Sequence, residues 1–261
     1  MLYIVKGLKN GQAFTYTFIY KILSLMLQKS RIWRTIVLVL RTLPIFVLSF
    51  LNAESNKTDL PEIIKIEDGV YEFGGIIINR NLRSITVPAV SNQRNGLVEY
   101  GLVHEEGKIH ESLFRTKVRP QIFHTSLLLL KIKPVDSFFE NIWSDDPKQI
   151  DYSDRCLEII VTWDENGTKH ESLLESLSTN QGKSNEANEK LFIFTGSRMV
   201  DGNFLAESTG SIVAVYADDN AIINNSHYDS VNDDVWIANK HKMPPLEMPV
   251  KISFHLPQST N

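Results

Sequence analysis

Three textures of hydrophobic and polar residues follow one another along the chain. From Thr35 to Phe50 apolar residues run almost unbroken behind Lys29, Arg31 and Arg34. Residues 54–61, ESNKTDLP, are polar and end on proline. From Ile63 onward short apolar runs alternate with Gly, Asn, Asp and Pro, which is the rhythm of strands and turns. Strands are predicted at 70–73, 75–79, 84–87, 97–104, 108–116, 156–163, 191–195, 211–216 and 250–255, most of them rich in Ile, Val, Phe or Tyr. One segment breaks the rhythm. PQIFHTSLLLLKIK, residues 120–133, has Pro at a first-turn position and stops before Pro134, and Ile122, Phe123, Ser126, Leu127 and Leu130 recur at helical steps. The polar stretch STNQGKSNEANEK, 178–190, predicts a mobile surface loop.

These elements predict a mainly β (α+β) fold, with antiparallel sheets in a sandwich-like arrangement and one short packed helix near 120–133. The organisation expected is a basic apolar leader (1–53), a linker (54–62), one β-rich domain (63–257) and a tail (258–261). A chain of 261 residues can bury a sizeable core without disulfides or metal.

Charge divides the chain at the same place. Residues 1–53 hold seven Lys or Arg and no Asp or Glu, whereas the remainder holds 20 basic and 31 acidic residues. A basic, apolar start engages a membrane while an acidic body stays in water. The acidic body excludes nucleic acid as a partner, because phosphate binding needs a clustered basic stripe. Arg115, Lys117, Arg119, Lys131 and Lys133 sit among carboxylates and read as a solvated face.

From Met26 the order of positive, apolar and small polar residues is that of a secretory signal. Arg41 interrupts the apolar stretch and Leu51 is large for a position before a cut after Ala53. An uncleaved anchor is the competing reading, although the stretch is short against the roughly 20 residues that span a bilayer. Either way the domain is expected to be exported, in the periplasm or anchored on the outer side of the inner membrane. Membrane contact is expected through residues 29–50 only. The single cysteine, Cys156, lies in the strand-like RCLEIIVTW and reads as a small buried hydrophobe.

The densest chemistry is VHEEGKIHESL, with His104, Glu105, Glu106, Lys108, His110 and Glu111. Histidine and carboxylate together can bind a metal or exchange protons near neutral pH. The spacing is not that of HExxH, and Gly107 suggests a hairpin turn. In an antiparallel hairpin that keeps Val98, Tyr100, Leu102, Ile109 and Leu113 on one face, Glu111 lies diagonal to an inward His104, and His110 points the other way. His104 and Glu111 are therefore the catalytic candidates, against a structural role as a pair that fixes the hairpin; a three-residue turn would instead bring both histidines to one face. Binding candidates are His110, Ser197, Asp233, Asp234 and Trp236. No metal site and no cofactor are expected.

The segment ITVPAVSNQRNGLVEYGLVHEEGKIHESLF, residues 85–114, resembles the opening motif of the YdjY-domain family. The likeness continues through Lys133 and Pro134, FTGSR (194–198), GSIVAVYADDNAIINN (210–225), DDVWIAN (233–239) and the closing PPLEMPVKISFHLP. The chain departs from the pattern in lacking a Gly before Lys133 and in having Ser226 where a Pro is usual. The resemblance implies a fold and an exported, envelope location, and no reaction. The function expected is a non-catalytic envelope module that binds an envelope protein, polymer or small ligand through the His110 face or residues 196–207. The contrasting expectation is an exported metal-dependent or His/Glu-based hydrolase.

Overall fold

The computed structural model describes residues 60–181 and 190–257. The leader, the linker up to residue 59, the middle of the polar loop and the tail lie outside them. In chain order the strands and helices are β1 (Ile63–Glu67), β2 (Val70–Phe73), β3 (Ile76–Asn79), β4 (Ser84–Ser91), β5 (Tyr100–His104), β6 (Ser112–Thr116), α1 (Pro120–Leu129) and α2 (Phe138–Ile142). Then come β7 (Cys156–Glu165), β8 (Thr168–Leu173), β9 (Ser178–Asn180), β10 (Phe192–Phe194), β11 (Met199–Val200), β12 (Asn203–Phe204), α3 (Leu205–Thr209), β13 (Ser211–Ala214), β14 (Ile223–Asn225), β15 (Trp236–Ala238) and β16 (Pro249–His255).

Eight strands close into a barrel in the order β4, β16, β7, β10, β14, β13, β5, β6, with β6 returning to β4 through Val90 opposite Arg115 and Ser91 opposite Phe114. The fold is mainly β as expected, but its sheet closes on itself where two facing sheets were predicted. Alternation along the long strands builds the shared face: Ile85, Val87 and Ala89 of β4 lie opposite Phe254, Ile252 and Val250 of β16. Across the next ladder Phe254 and Ile252 meet Ile159 and Val161 of β7. All eight side chains are buried. Each large one contributes roughly 1.5–3 kcal/mol relative to an exposed position. β3, β2 and β1 extend the sheet outward from β4, β8 pairs with β7 beside the barrel, and β9 pairs with β15.

Helix α1 begins where Pro120 predicts it and ends at Leu129, short of Lys133, because Lys131 enters the left-handed region with φ 61° and Pro134 lies ahead. No side chain at its own N-cap serves its first N–H groups. Glu207 of α3 does so instead: Oε2 accepts from Gln121 N at 2.8 Å and Oε1 from Arg119 Nε at 2.5 Å. On the core side Phe123 meets Phe254 edge-on, with ring centroids 4.9 Å apart. The polar loop begins later than predicted, since residues 178–180 are the strand β9.

The largest departure from expectation is between β5 and β6, which run parallel, with Tyr100 opposite Ser112 and His104 opposite Thr116. The antiparallel hairpin at Gly107 does not form. Parallel neighbours normally need a dozen or more connecting residues; here the connection is residues 105–111, with a 3-10 turn over Ile109–Glu111. Such a link reaches because β5 is short. It turns hard against the α3–β13 junction: a Cβ on Gly107 would stand 2.9 Å from Thr209 O, and one on Gly210, which has φ +76°, 2.7 Å from the Gly107 Cα.

Candidate functional site

The parallel register separates the two catalytic candidates. Glu111 lies beside the start of β5, where its carbonyl accepts from Glu99 N at 2.9 Å, while His104 ends the strand. Five residues at about 3.3 Å each put roughly 16 Å between those backbone positions. The expected His104 and Glu111 couple is therefore not made. His104 is half-buried; its N–H donates to Gly210 O at 2.8 Å and its Nδ1 accepts from Glu106 N at 3.3 Å, which ties it to the turn. His110 is exposed, with Nε2 3.4 Å from Glu111 Oε1.

The other candidates divide between turns and core. Asp233 and Asp234 sit in an exposed turn in which Asp234 N donates to Asn232 Oδ1 at 3.0 Å. Trp236 is buried, its Nε1 donates to Asp229 O at 3.3 Å, and its ring meets His227 edge-on. Ser197 has φ 63°, and its hydroxyl donates to Asn220 O at 2.7 Å and accepts from Ala206 N at 3.1 Å. That hydroxyl clamps two loops. Among the described residues no group of three His, Cys, Asp or Glu side chains comes together to hold a metal ion.

Two groupings escaped the sequence reading. The first is a polar chain on β5. Lys108 Nζ donates to the Tyr100 hydroxyl at 2.5 Å and stands 4.8 Å from the ring centroid, and the hydroxyl donates to Asp218 Oδ2 at 2.8 Å. Asp218 Oδ1 accepts from Asn220 N and Nδ2, at 2.9 and 2.7 Å. Burial, then the Asp218 charge and hydrogen bond, push the phenol pKa far up, so Tyr100 keeps its proton. Glu99 beside it is raised by burial and then by the charge of Glu111, with Asp233 adding a smaller push and Lys108 opposing. The hydroxyl is satisfied on both sides. It fixes the short link between β5 and β6 to the segment after β13, and leaves no poised acid or base.

The second is a cleft of about 1060 Å³ between the α2 region and the segment after β14, with Phe138, Ile142, Tyr152, Cys156 and Leu191 among its lining. Burial pushes the Cys156 thiol up to about 11, and Sγ donates to Lys190 O at 3.2 Å. At neutral pH it stays a thiol and makes a poor nucleophile; the reading of Cys156 as a buried small hydrophobe agrees with its 3% exposure. Phe138 meets the Tyr152 ring edge-on at 5.9 Å, and the Tyr152 hydroxyl is buried with no hydrogen-bond partner among the described residues. Near Cys156 lies Glu175, whose carboxylate oxygens are both closed to solvent, and burial pushes it up to about 7. The signal available in sequence was only that Tyr152 and Cys156 are four residues apart. Ser226 and His227 join them from 70 residues further on.

Fold and site together define a closed eight-stranded β-barrel protein with an open, largely apolar cleft on one side and a satisfied polar chain on β5. The chain belongs to the YdjY domain family, whose model matches residues 76–255. No curated protein and no solved structure matches it.

Proposed function

We propose that the chain is a non-catalytic binding module of the cell envelope, exported or tethered to the outer side of the inner membrane by its leader, and that its ligand is a small molecule held in the cleft at Cys156. The observation that carries this reading is the cleft itself. It is about as large as ligand sites become, Phe138, Ile142, Ile150, Leu191 and Val231 give its lining apolar surface, and the thiol in it stays protonated. Location rests on the leader, with seven basic and no acidic residues ahead of an acidic domain. The His104 and Glu111 couple, one part of the contrasting hydrolase reading, is not made.

The test is native mass spectrometry of the full chain recovered from the envelope fraction of cells that express it. A molecule held in stoichiometric amount and released unchanged supports a binding module. Recovery only from the cytoplasm overturns the location. Release of a chemically converted molecule, lost on Lys108→Met or Cys156→Ser substitution, overturns the non-catalytic reading.

A further inference from the structure

A buried phenol with nothing to donate to is costly, because its hydroxyl loses water on folding and gains no bond in exchange. Tyr152 is in that condition, with the residue 9% exposed and the hydroxyl lacking any partner among the described residues. The cost is not explained by packing, since a phenylalanine fills the same space without it. Nor does the site belong to the sealed core. Tyr152 lines the cleft together with Phe138, Ile142 and Leu191.

The charges around it narrow the ligand. Lys190 is engaged by Glu158 at 3.7 Å. Lys148 and Asp151, of opposite sign, share the lining, so the cleft presents little net charge. Cys156 already donates to a backbone carbonyl. Lys190 is already engaged, and an ionic head group would lose hydration on entering a lining of little net charge. Burial raises the Tyr152 pKa, so the phenol stays protonated and can donate.

We propose that the cleft binds an uncharged, largely apolar ring-containing molecule that bears a carbonyl or ether oxygen, and that the Tyr152 hydroxyl donates its hydrogen bond to that oxygen. The hydroxyl is closed to water in this structure, so the ligand displaces the side chains that cover it. This deepens the binding reading above and rests on it. The proposal accounts for a tyrosine at a position where the fold alone is served as well by phenylalanine.

Benzophenone is the probe, with two apolar rings, one carbonyl, no charge, and insertion into nearby C–H bonds on irradiation. The full chain in lipid nanodiscs is irradiated with it, and labelled positions are mapped by mass spectrometry. Label is expected within residues 138–152 and 226–231. Diphenylmethane, in which a methylene replaces the carbonyl, should compete roughly 3- to 10-fold more weakly than unlabelled benzophenone, the worth of one net hydrogen bond. In Tyr152→Phe that preference should vanish and cleft labelling should fall by a similar factor, with a melting temperature equal to or above that of the wild type. Cleft labelling with the same carbonyl preference in Tyr152→Phe overturns the donor assignment and leaves the binding module standing. A melting temperature several degrees lower in Tyr152→Phe overturns it as well, by showing a structural partner for the hydroxyl. Wild-type label confined to other surfaces overturns the site, and if no molecule is retained in the envelope preparation either, the binding reading falls with it.

Discussion

Glu175 sets a measurable pH dependence on the stability of the domain. It lies in the 3-10 turn Leu174–Leu177, whose two leucines are core residues, and neither of its carboxylate oxygens is open to water. Burial raises its pKa from 4.5 to about 7, opposed by the N–H groups of Glu175 and Leu191 and by Lys190, which is itself engaged by Glu158. Between those two pH values the folded chain holds a proton that the unfolded chain has released, so stability falls as pH rises from about 4.5 through 7. Substituting Glu175→Gln removes this term. Linkage with the two pKa values makes the variant's stability gain on the wild type by about 2.5 kcal/mol between pH 5 and pH 8. For a domain of this size that corresponds to a relative rise in melting temperature of about 5–10 °C. Both chains are melted at both pH values, and the difference of differences cancels all other titrating groups and the amide's own packing cost. Parallel pH profiles would refute the reasoning, because they would mean that Glu175 is already solvated or paired in the folded chain.

Three further substitutions test the frame around the cleft and the β5 chain. Tyr100→Phe strips Asp218 Oδ2 and Lys108 Nζ of their shared partner, and chemical denaturation should show a loss of about 1–3 kcal/mol; an unchanged midpoint would mean that water replaces the phenol. Gly210→Ala places a Cβ 2.7 Å from the Gly107 Cα at a φ of +76°, and a loss of about 2 kcal/mol or more is expected from backbone strain alone, read as a lowered melting temperature. Glu207→Ala removes the acceptor for Gln121 N and Arg119 Nε and should lower stability by about 1–2 kcal/mol, as loss of a helix cap does. Hydrogen exchange should locate the loosening in the first turn of α1.

How far the fold could be read in advance depended on how one-sided each strand is. β4, β7 and β16 alternate buried and more open positions, and their approximate positions followed from apolar runs rich in Ile, Val and Phe set off by turn residues. α1 followed from Pro120 and its apolar stripe. β8, TKHESL, buries none of its residues and shows no apolar alternation to find, and β9, β14 and β15 have three residues each. Closure of the barrel rests on the pairing of β6 with β4, a contact between distant segments that no local pattern carries. The hairpin register failed for a specific reason. Parity assigns a register only when one face is polar, and β5 buries Tyr100, Gly101, Leu102 and Val103 while β6 buries both Leu113 and Phe114. With both faces covered, antiparallel and parallel pairings satisfied the same apolar pattern, and the Gly107 turn tipped the reading the wrong way.

The same physics explains why the conspicuous polar cluster misled and the cleft stayed hidden. A dense run of His, Glu and Lys marks chemistry only if the backbone folds it onto itself, and a parallel return spreads VHEEGKIHESL along both ends of β5. Residues 150–155, IDYSDR, look like a connecting loop, and Tyr152 within it reads as an ordinary loop aromatic. Its significance arises from two facts outside the local sequence: Phe138 of α2 packs edge-on against its ring, and nothing among the described residues accepts its hydroxyl proton. Burial turns a solvated phenol into an unpaid one, and that debt is what points to a ligand. For the fold, tyrosine and phenylalanine at 152 are near equivalents, with phenylalanine the cheaper; for a ligand with an oxygen to offer, only tyrosine answers. The distinction between a core aromatic and a binding residue in this protein therefore lies in one hydroxyl.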